Sequence, residues 1–302
     1  MISNAPKSVA VVIPLYNRER YIGQAVQSVL AQTYGYVHLY VVDDGSTDDS
    51  RGIVDDLAAR HVQRMTVLEH PGRVNRGQSA ALNLGIRAAR DDYIAFLDSD
   101  DFWFPQKLER QVAFLDTHPN IGLVYGNGEA VDSEGNRLYD IYGANHREPN
   151  QASAVLLDCY FFVPTNSLLR RSVLDEVGPF DESLRAAQDH DMALRIAEIT
   201  DLAYIPDLVF YYRRHADTIS QRNALLRWRS GFKILAKAKA RHSYPGSVLR
   251  RRRAVLHFRL YQCYWREQRY WLALPHLLAA GILDPARSIA VAMGREAVTS
   301  PN

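Results

Sequence analysis

Tyr93-Ile94-Ala95-Phe96-Leu97-Asp98-Ser99-Asp100-Asp101 is the stretch around which this chain is organised. Its apolar run, with β-branched and aromatic residues, has the composition of a buried strand. It ends in three carboxylates within four positions. Buried without partners, such charges would lose several kcal/mol of hydration each. They belong at the strand's carboxyl end, facing solvent or a cation, and in open α/β sheets that edge is where ligands bind. Hard divalent cations prefer carboxylate oxygen, and Mg²⁺ is usually held by one or two carboxylates together with substrate phosphates. An Asp-x-Asp after a strand therefore suggests a metal–diphosphate site. The plainer alternative is an acidic turn that caps the next helix, and the rest of the chain has to decide between them.

Upstream, Val9–Ile13 has the composition of a first strand, stopped by Pro14, and is followed by a helix with Ile22, Val26, Val29 and Leu30 on one face. Val37–Val42 is a second strand, ending in Asp43-Asp44-Gly45-Ser46-Thr47-Asp48-Asp49. Gly45 permits a tight turn, and Ser46 or Thr47 is the expected N-cap of a helix running to about Arg60. Thr66–Glu69 is a third strand, and a helix through Ala80, Ala81, Leu84 and Ala88 follows Asn75-Arg76-Gly77-Gln78. Strands alternating with helices at this spacing indicate a largely parallel, right-handed sheet. Two acidic loops then share one sheet edge, which weighs against a mere helix cap, since crowded like charges call for a cation or for ligand donor groups. No glycine-rich phosphate-binding motif follows the first strand.

These segments resemble the family 2 glycosyltransferases: Val12-Ile13-Pro14-Leu15-Tyr16-Asn17-Arg18, Val41 to Asp48, Asn75 to Asn83 and Tyr93 to Asp101, in matching order and spacing. The resemblance covers about residues 8–220. It implies a GT-A-like α/β fold with a mostly parallel sheet flanked by helices, and a nucleotide-diphosphate-sugar donor. By the same resemblance Pro14, Tyr16, Asp44, Arg76 and Asp98 are donor-side residues, with Asp44 and Tyr16 near the nucleobase.

Further along, Pro105 is expected to open a helix with Leu108, Val112 and Leu115 on one face, before a strand at Ile121–Tyr125. Ser133-Glu134-Gly135-Asn136 is a turn joining Glu129–Val131 to Arg137–Tyr139. Gln188-Asp189-His190-Asp191 opens a helix on which Asp189, Met192, Ala193, Ile196 and Ile199 share a stripe, so Asp189 is expected to point inward and Asp191 to pair with Arg195. Gly178-Pro179-Phe180-Asp181-Glu182 and Gln188 to Asp191 resemble the family's Gly-x-Phe-Asp-Glu and Glu-Asp-x-Asp segments. This implies Asp189 as the catalytic base, with Gln188 where glutamate is usual. Leu208–Arg213 has the look of an edge strand. Tyr212-Arg213-Arg214-His215 resembles the family's Tyr-Arg-x-His segment, which implies that its Arg and His are candidates for diphosphate or metal contacts.

The net charge of +2 hides an asymmetry. Residues 221–302 carry 16 Lys+Arg against 3 acidic residues, whereas residues 1–220 carry 20 against 31. Two parts follow: a transferase domain at 1–220 and a basic α-helical extension at 221–302. No run of about 18 apolar residues or signal-like start is present, and two cysteines form no disulfide framework.

The expected function is that of an inverting glycosyltransferase of hexosyltransferase type, making a cell-surface glycan or polysaccharide on a glycan or lipid-linked acceptor. Asp100, Asp101 and His215 are the expected ligands of Mg²⁺ or Mn²⁺, with Asp98 beside them. Alternatives are a sugar-nucleotide pyrophosphorylase, which would need a glycine-rich basic loop where Pro14–Arg18 stands, and a non-catalytic nucleotide-sugar-binding scaffold. Acceptor choice is expected in the loops from Tyr142 to Phe162. No nucleic-acid partner is expected. A cytoplasmic location is, with 221–302 touching an anionic inner membrane face.

Overall fold

A computed structural model describes residues 5–161, 163–215 and 224–286. Among the described residues nine strands form one sheet: β1 (Val9–Leu15), β2 (Val37–Asp43), β3 (Met65–Glu69), β4 (Tyr93–Phe96), β5 (Phe102–Trp103), β6 (Ile121–Val131), β7 (Arg137–Asp140), β8 (Ser167–Arg170) and β9 (Asp201–Arg213). Their order is β3-β2-β1-β4-β8-β6-β9-β5, with β7 added to β6. The β3-β2-β1-β4 half is parallel, and β6 pairs with β9 in parallel. β8 is inserted antiparallel between β4 and β6, so the sheet is mixed.

Strand alternation sends Val9, Val11, Ile13 and Leu15 into one core layer, against Ile22, Val26 and Val29 of α1 (Ile22–Leu30). Leu108, Val112 and Leu115 of α4 (Lys107–Thr117) join the same layer. Each such side chain contributes about 1.5–3 kcal/mol by leaving water. On the other face α3 (Gln78–Ala88) lies so near the sheet that a Cβ at Gly85 would meet Val12 Cγ1 at 2.4 Å.

Several local expectations change. Pro14 does not stop β1, which continues to Leu15; the β1–β4 ladder runs only from Val9 to Val12, so the missing N–H falls beyond it. Ser46 and Thr47 do not cap a helix, since α2 (Ser50–Arg60) starts at Ser50 with Asp49 in the cap position. Gly45 does make the tight turn, at φ 78°. The helix expected from Pro105 begins at Lys107. The strand near residue 208 is not an edge: β9 starts at Asp201 and is covered on both sides, by β6 and β5.

The chain divides into two compact units, Met1–Ala152 with Cys159–Ala216, and Ser153–Asp158 with Asp217–Asn302. The expected boundary between residues 220 and 221 lies outside the described residues. The second unit contains the helices Ala224–Arg241, Gly246–Arg266 and Tyr270–Leu283. Among the described residues, no helix is long and apolar enough to cross a membrane.

Candidate active site

The site lies where β1, β2 and β4 release their chains at the carboxyl edge. Asn17, at φ 51°, ties the first two loops together. Its backbone N–H donates to Ser46 Oγ at 3.1 Å, and its Oδ1 accepts the Thr47 N–H at 2.7 Å. The Arg18 N–H donates to Ser50 Oγ at 2.7 Å. This use of Ser46 and Thr47 explains why neither caps α2.

Asp44 is buried, and its oxygens accept the backbone N–H groups of Arg76 and Gly77 at 2.8 and 2.7 Å. It thereby fixes the loop ahead of α3. Tyr16 is exposed, Pro14 is buried in β1, and the Arg76 side chain points out near Glu182.

The three carboxylates after β4 separate into different environments. Asp100 Oδ2 lies 3.2 Å from Arg18 Nε and 3.1 Å from His215 Nε2. Burial opposes its ionisation, yet the His215 hydrogen bond and the Arg18 guanidinium hold its carboxyl below the ordinary value. Asp98 accepts from Gln78 Nε2 at 2.8 Å. Its pKa is pushed up to about 7, first by burial and then by the charges of Asp100 and Asp189.

Asp101 is turned inward, only 3% exposed. Its Oδ1 accepts the Arg213 N–H at 2.8 Å and its Oδ2 the Thr165 hydroxyl at 3.1 Å. Burial, then the charges of Asp100 and Asp98, raise its pKa well above the usual carboxylate range. Both oxygens are engaged by the fold, so the metal role expected from the sequence would have to share or release one of them. Arg213 is buried; its Nε donates to the Asp100 carbonyl at 2.9 Å, and its guanidinium also reaches Ser133 O and Gln24 Oε1.

Thr165 was not anticipated. It sits at φ 88°, which for a β-branched residue costs about 1–3 kcal/mol. Its Oγ1 also accepts the Asp98 N–H at 3.4 Å, and its carbonyl accepts Trp103 Nε1–H at 2.7 Å. The strained residue thus clamps the acidic turn from below. Arg18, the last residue of the Val12–Arg18 segment, also reaches this centre, and no local pattern points to it.

On the helix Gln188–Ala197 the expected stripe is displaced. Ile199 lies past the helix end and is 42% exposed, while Asp191 is 2% exposed and pairs with Arg195 at 2.9 Å. Asp189 is half-buried in the first turn, close enough to Asp98 to raise its pKa. Between β7 and β8, Tyr142 stacks on His146 and Phe161 stacks on Tyr125 of β6, so aromatic contacts pack down the ends of that loop region.

A divalent cation fits this donor set. Asp98 and Asp100 are crowded carboxylates whose repulsion a cation would relieve. Among the described residues no group of three or more His, Cys, Asp or Glu side chains forms a ready-made metal cage. One or two protein oxygens, completed by diphosphate and water, is the usual way of holding Mg²⁺.

The chain is 32% identical over 220 residues to an uncharacterized glycosyltransferase of Nostoc sp., covering 68% of this chain and 65% of that protein. It is 27% identical over 233 residues to chondroitin synthase of Escherichia coli, covering 77% of this chain and 33% of that protein. The chain thus spans less than two thirds of each of these relatives. Among solved structures, S. aureus TarS 1–349 in complex with UDP-GlcNAc shares the fold, with TM-score 0.70, 18% identity and coverage of 96% of this chain and 93% of that one. The mannosyltransferase PcManGT from Pyrobaculum calidifontis, in complex with GDP-Man and Mn²⁺, aligns with TM-score 0.64 and 20% identity, over 95% and 81% of the two chains. The sequence model of glycosyl transferase family 2 matches residues 10–178, and the chain belongs to that family.

Proposed function

We propose that the protein moves a sugar, with inversion, from a nucleotide-diphosphate donor to an acceptor hydroxyl during synthesis of a cell-surface glycan. The observation that carries this reading is the meeting of Asp98, Asp100 and Asp189 at one sheet edge, near enough for Asp98 to feel both other charges. Asp189 takes the proton of the acceptor hydroxyl as that oxygen bonds to the anomeric carbon. The bond from that carbon to the diphosphate breaks on the opposite side, and its electron pair leaves with the nucleotide diphosphate. Base assistance of this kind contributes about 10²–10⁴-fold. Asp98 and Asp100 would hold Mg²⁺ or Mn²⁺, which when bound neutralises charge on the leaving diphosphate. Asp44 and the Arg76–Gly77 loop that it fixes form the nucleoside side, with Tyr16 exposed above. The donor class is supported by neighbours solved with UDP-GlcNAc and with GDP-Man and Mn²⁺.

The second unit is read as a peripheral contact with the cytoplasmic face of an anionic membrane. Residues 224–286 carry 13 Lys+Arg against two acidic residues. Trp271, Leu274, Leu278 and Ile282 expose an apolar stripe on one helix, with Ile282 80% exposed. Trp265 and Tyr270 lie at the turn before it, beside Arg266 and Arg269. Aromatic and basic side chains beside apolar ones suit a headgroup interface.

The test is a nucleotide-diphosphate release assay across UDP-, GDP- and dTDP-sugars with Mg²⁺ or Mn²⁺. Metal-dependent release from one donor supports the reading. Full activity in excess chelator removes the metal from it, and no release from any donor counts against the function.

A further inference from the structure

One line of hydrogen bonds joins the first turns of two helices to the loop after β4. Gln188 Nε2 donates to Gln78 Oε1 at 2.8 Å, and Gln78 Nε2 donates to Asp98 Oδ1 at 2.8 Å. Gln188 is the first residue of its helix, Gln78 is the first residue of α3, and Asp98 follows β4. All three side chains are half-buried, where a misdirected amide finds little water to compensate it.

The direction of this line is imposed from its acidic end. When it holds a cation, the Asp98 carboxylate is ionised and only accepts hydrogen bonds, so Gln78 must turn its amide nitrogen toward Asp98 and its carbonyl toward residue 188. Residue 188 must then donate. Glutamine does, whereas the glutamate usual in the resembling segment would only accept when ionised. With glutamate there, Gln78 has to reverse to give its N–H to residue 188, which brings its carbonyl against the Asp98 carboxylate.

We propose that Gln188 is a positioning residue for the sugar-nucleotide donor: it fixes which end of Gln78 faces Asp98 and so holds the Asp98 carboxylate in one orientation. The inference rests on the role proposed for Asp98 in holding the cation that binds the donor's diphosphate. The structural-only alternative is that residue 188 merely begins a helix. A third account has it acting on its neighbour Asp189, where an added negative charge would alter turnover and leave donor affinity unchanged.

A double-mutant cycle separates these accounts. Gln188→Glu, Gln78→Ala and the double variant are titrated with UDP-GlcNAc and with GDP-mannose, each with Mn²⁺, and turnover is measured on whichever donor releases nucleotide. A glutamate in the first turn of a helix suits the dipole, so Q188E is expected to fold. The expected result is donor binding about tenfold weaker in Q188E. In the Q78A background, the same Q188E change should have no further effect, because there is no amide left to reverse. Equal weakening in both backgrounds, or a change in turnover with unchanged affinity, overturns the inference. A wild-type protein that bound neither probe and released nucleotide from none of the UDP-, GDP- and dTDP-sugars would overturn the donor reading itself, and this inference with it. Wild-type binding with no change in Q188E removes the inference alone.

Discussion

Arg18 Nε stands 3.2 Å from Oδ2 of Asp100, the oxygen that also meets His215 Nε2. Without a metal, the carboxylate is balanced by a guanidinium from a loop 82 residues away in sequence. A divalent cation and Arg18 therefore compete for one acidic centre. Arg18→Gln is expected to tighten Mn²⁺ binding in the absence of donor by about twofold to fivefold, the range of a partly exposed ion pair. Electron paramagnetic resonance of free Mn²⁺ measures this directly. Weaker binding in R18Q would mean that the guanidinium helps to build the site.

Asp101 carries a different expectation, because both of its oxygens hold the fold. Asp101→Ala leaves the buried Arg213 N–H and the Thr165 hydroxyl without their acceptor, at a cost of about 1–3 kcal/mol for an unsatisfied group. Denaturant unfolding should show that loss, with Mn²⁺ affinity changed little in the protein that remains folded. Unchanged stability with abolished Mn²⁺ binding would return Asp101 to the metal.

Where the sequence was informative, its signal was periodic or sharply punctuated. Apolar runs ending in Asp43-Asp44 and in Asp98 to Asp101 gave the parallel half of the sheet and its acidic edge. Spacing could not say which of three neighbouring carboxylates turns inward. That depends on the Asp101 N–H closing a turn onto the Asp98 carbonyl, and on Arg213 arriving from β9. The Arg18–Asp100 and Gln78–Gln188 contacts join residues 82 and 110 positions apart, and no local pattern encodes such pairs. Helix periodicity puts Asp189 on a buried stripe, but packing buries Asp191 with Arg195 and leaves Asp189 half-buried near Asp98.

Asp98 gives a pH dependence with a definite sign. Its folded pKa is raised from 3.8 to about 7. The folded protein thus holds this proton more tightly than the unfolded chain does. The stabilisation is fully present below pH 3.8 and is lost as pH rises through about 7. Without metal, the melting temperature of the wild type should fall relative to that of Asp98→Asn between pH 5 and 8. Added Mn²⁺ should recover it at pH 8, because the cation takes the proton's place. Parallel melting profiles for the two proteins would contradict the crowding of charges at this edge.

The membrane reading is tested with the exposed arginines alone. Arg252 is buried and donates to the Leu157 carbonyl at 2.8 Å, so it supports the helical unit and is left intact. Substituting Arg250, Arg251 and Arg253 by Gln should weaken partition onto anionic vesicles about a hundredfold, at about 1 kcal/mol per basic residue near the surface. Trp271→Ser should weaken it independently of salt. Equal co-sedimentation with anionic and neutral vesicles at low salt would leave those arginines as a solvated face.

The central claim, that this edge binds a sugar nucleotide and Asp189 acts on the acceptor, is tested most directly by measuring nucleotide-diphosphate release and donor affinity together. The wild type, Asp100→Ala, Asp189→Asn and Asp191→Asn are compared on the active donor with Mn²⁺. The account predicts that D100A loses metal-dependent donor binding. D189N should keep binding while turnover falls about 10²-fold or more. D191N should lose stability with its Arg195 pair and change turnover much less. Equal losses of turnover in folded D189N and D191N, or donor binding in D100A indifferent to metal, would contradict it.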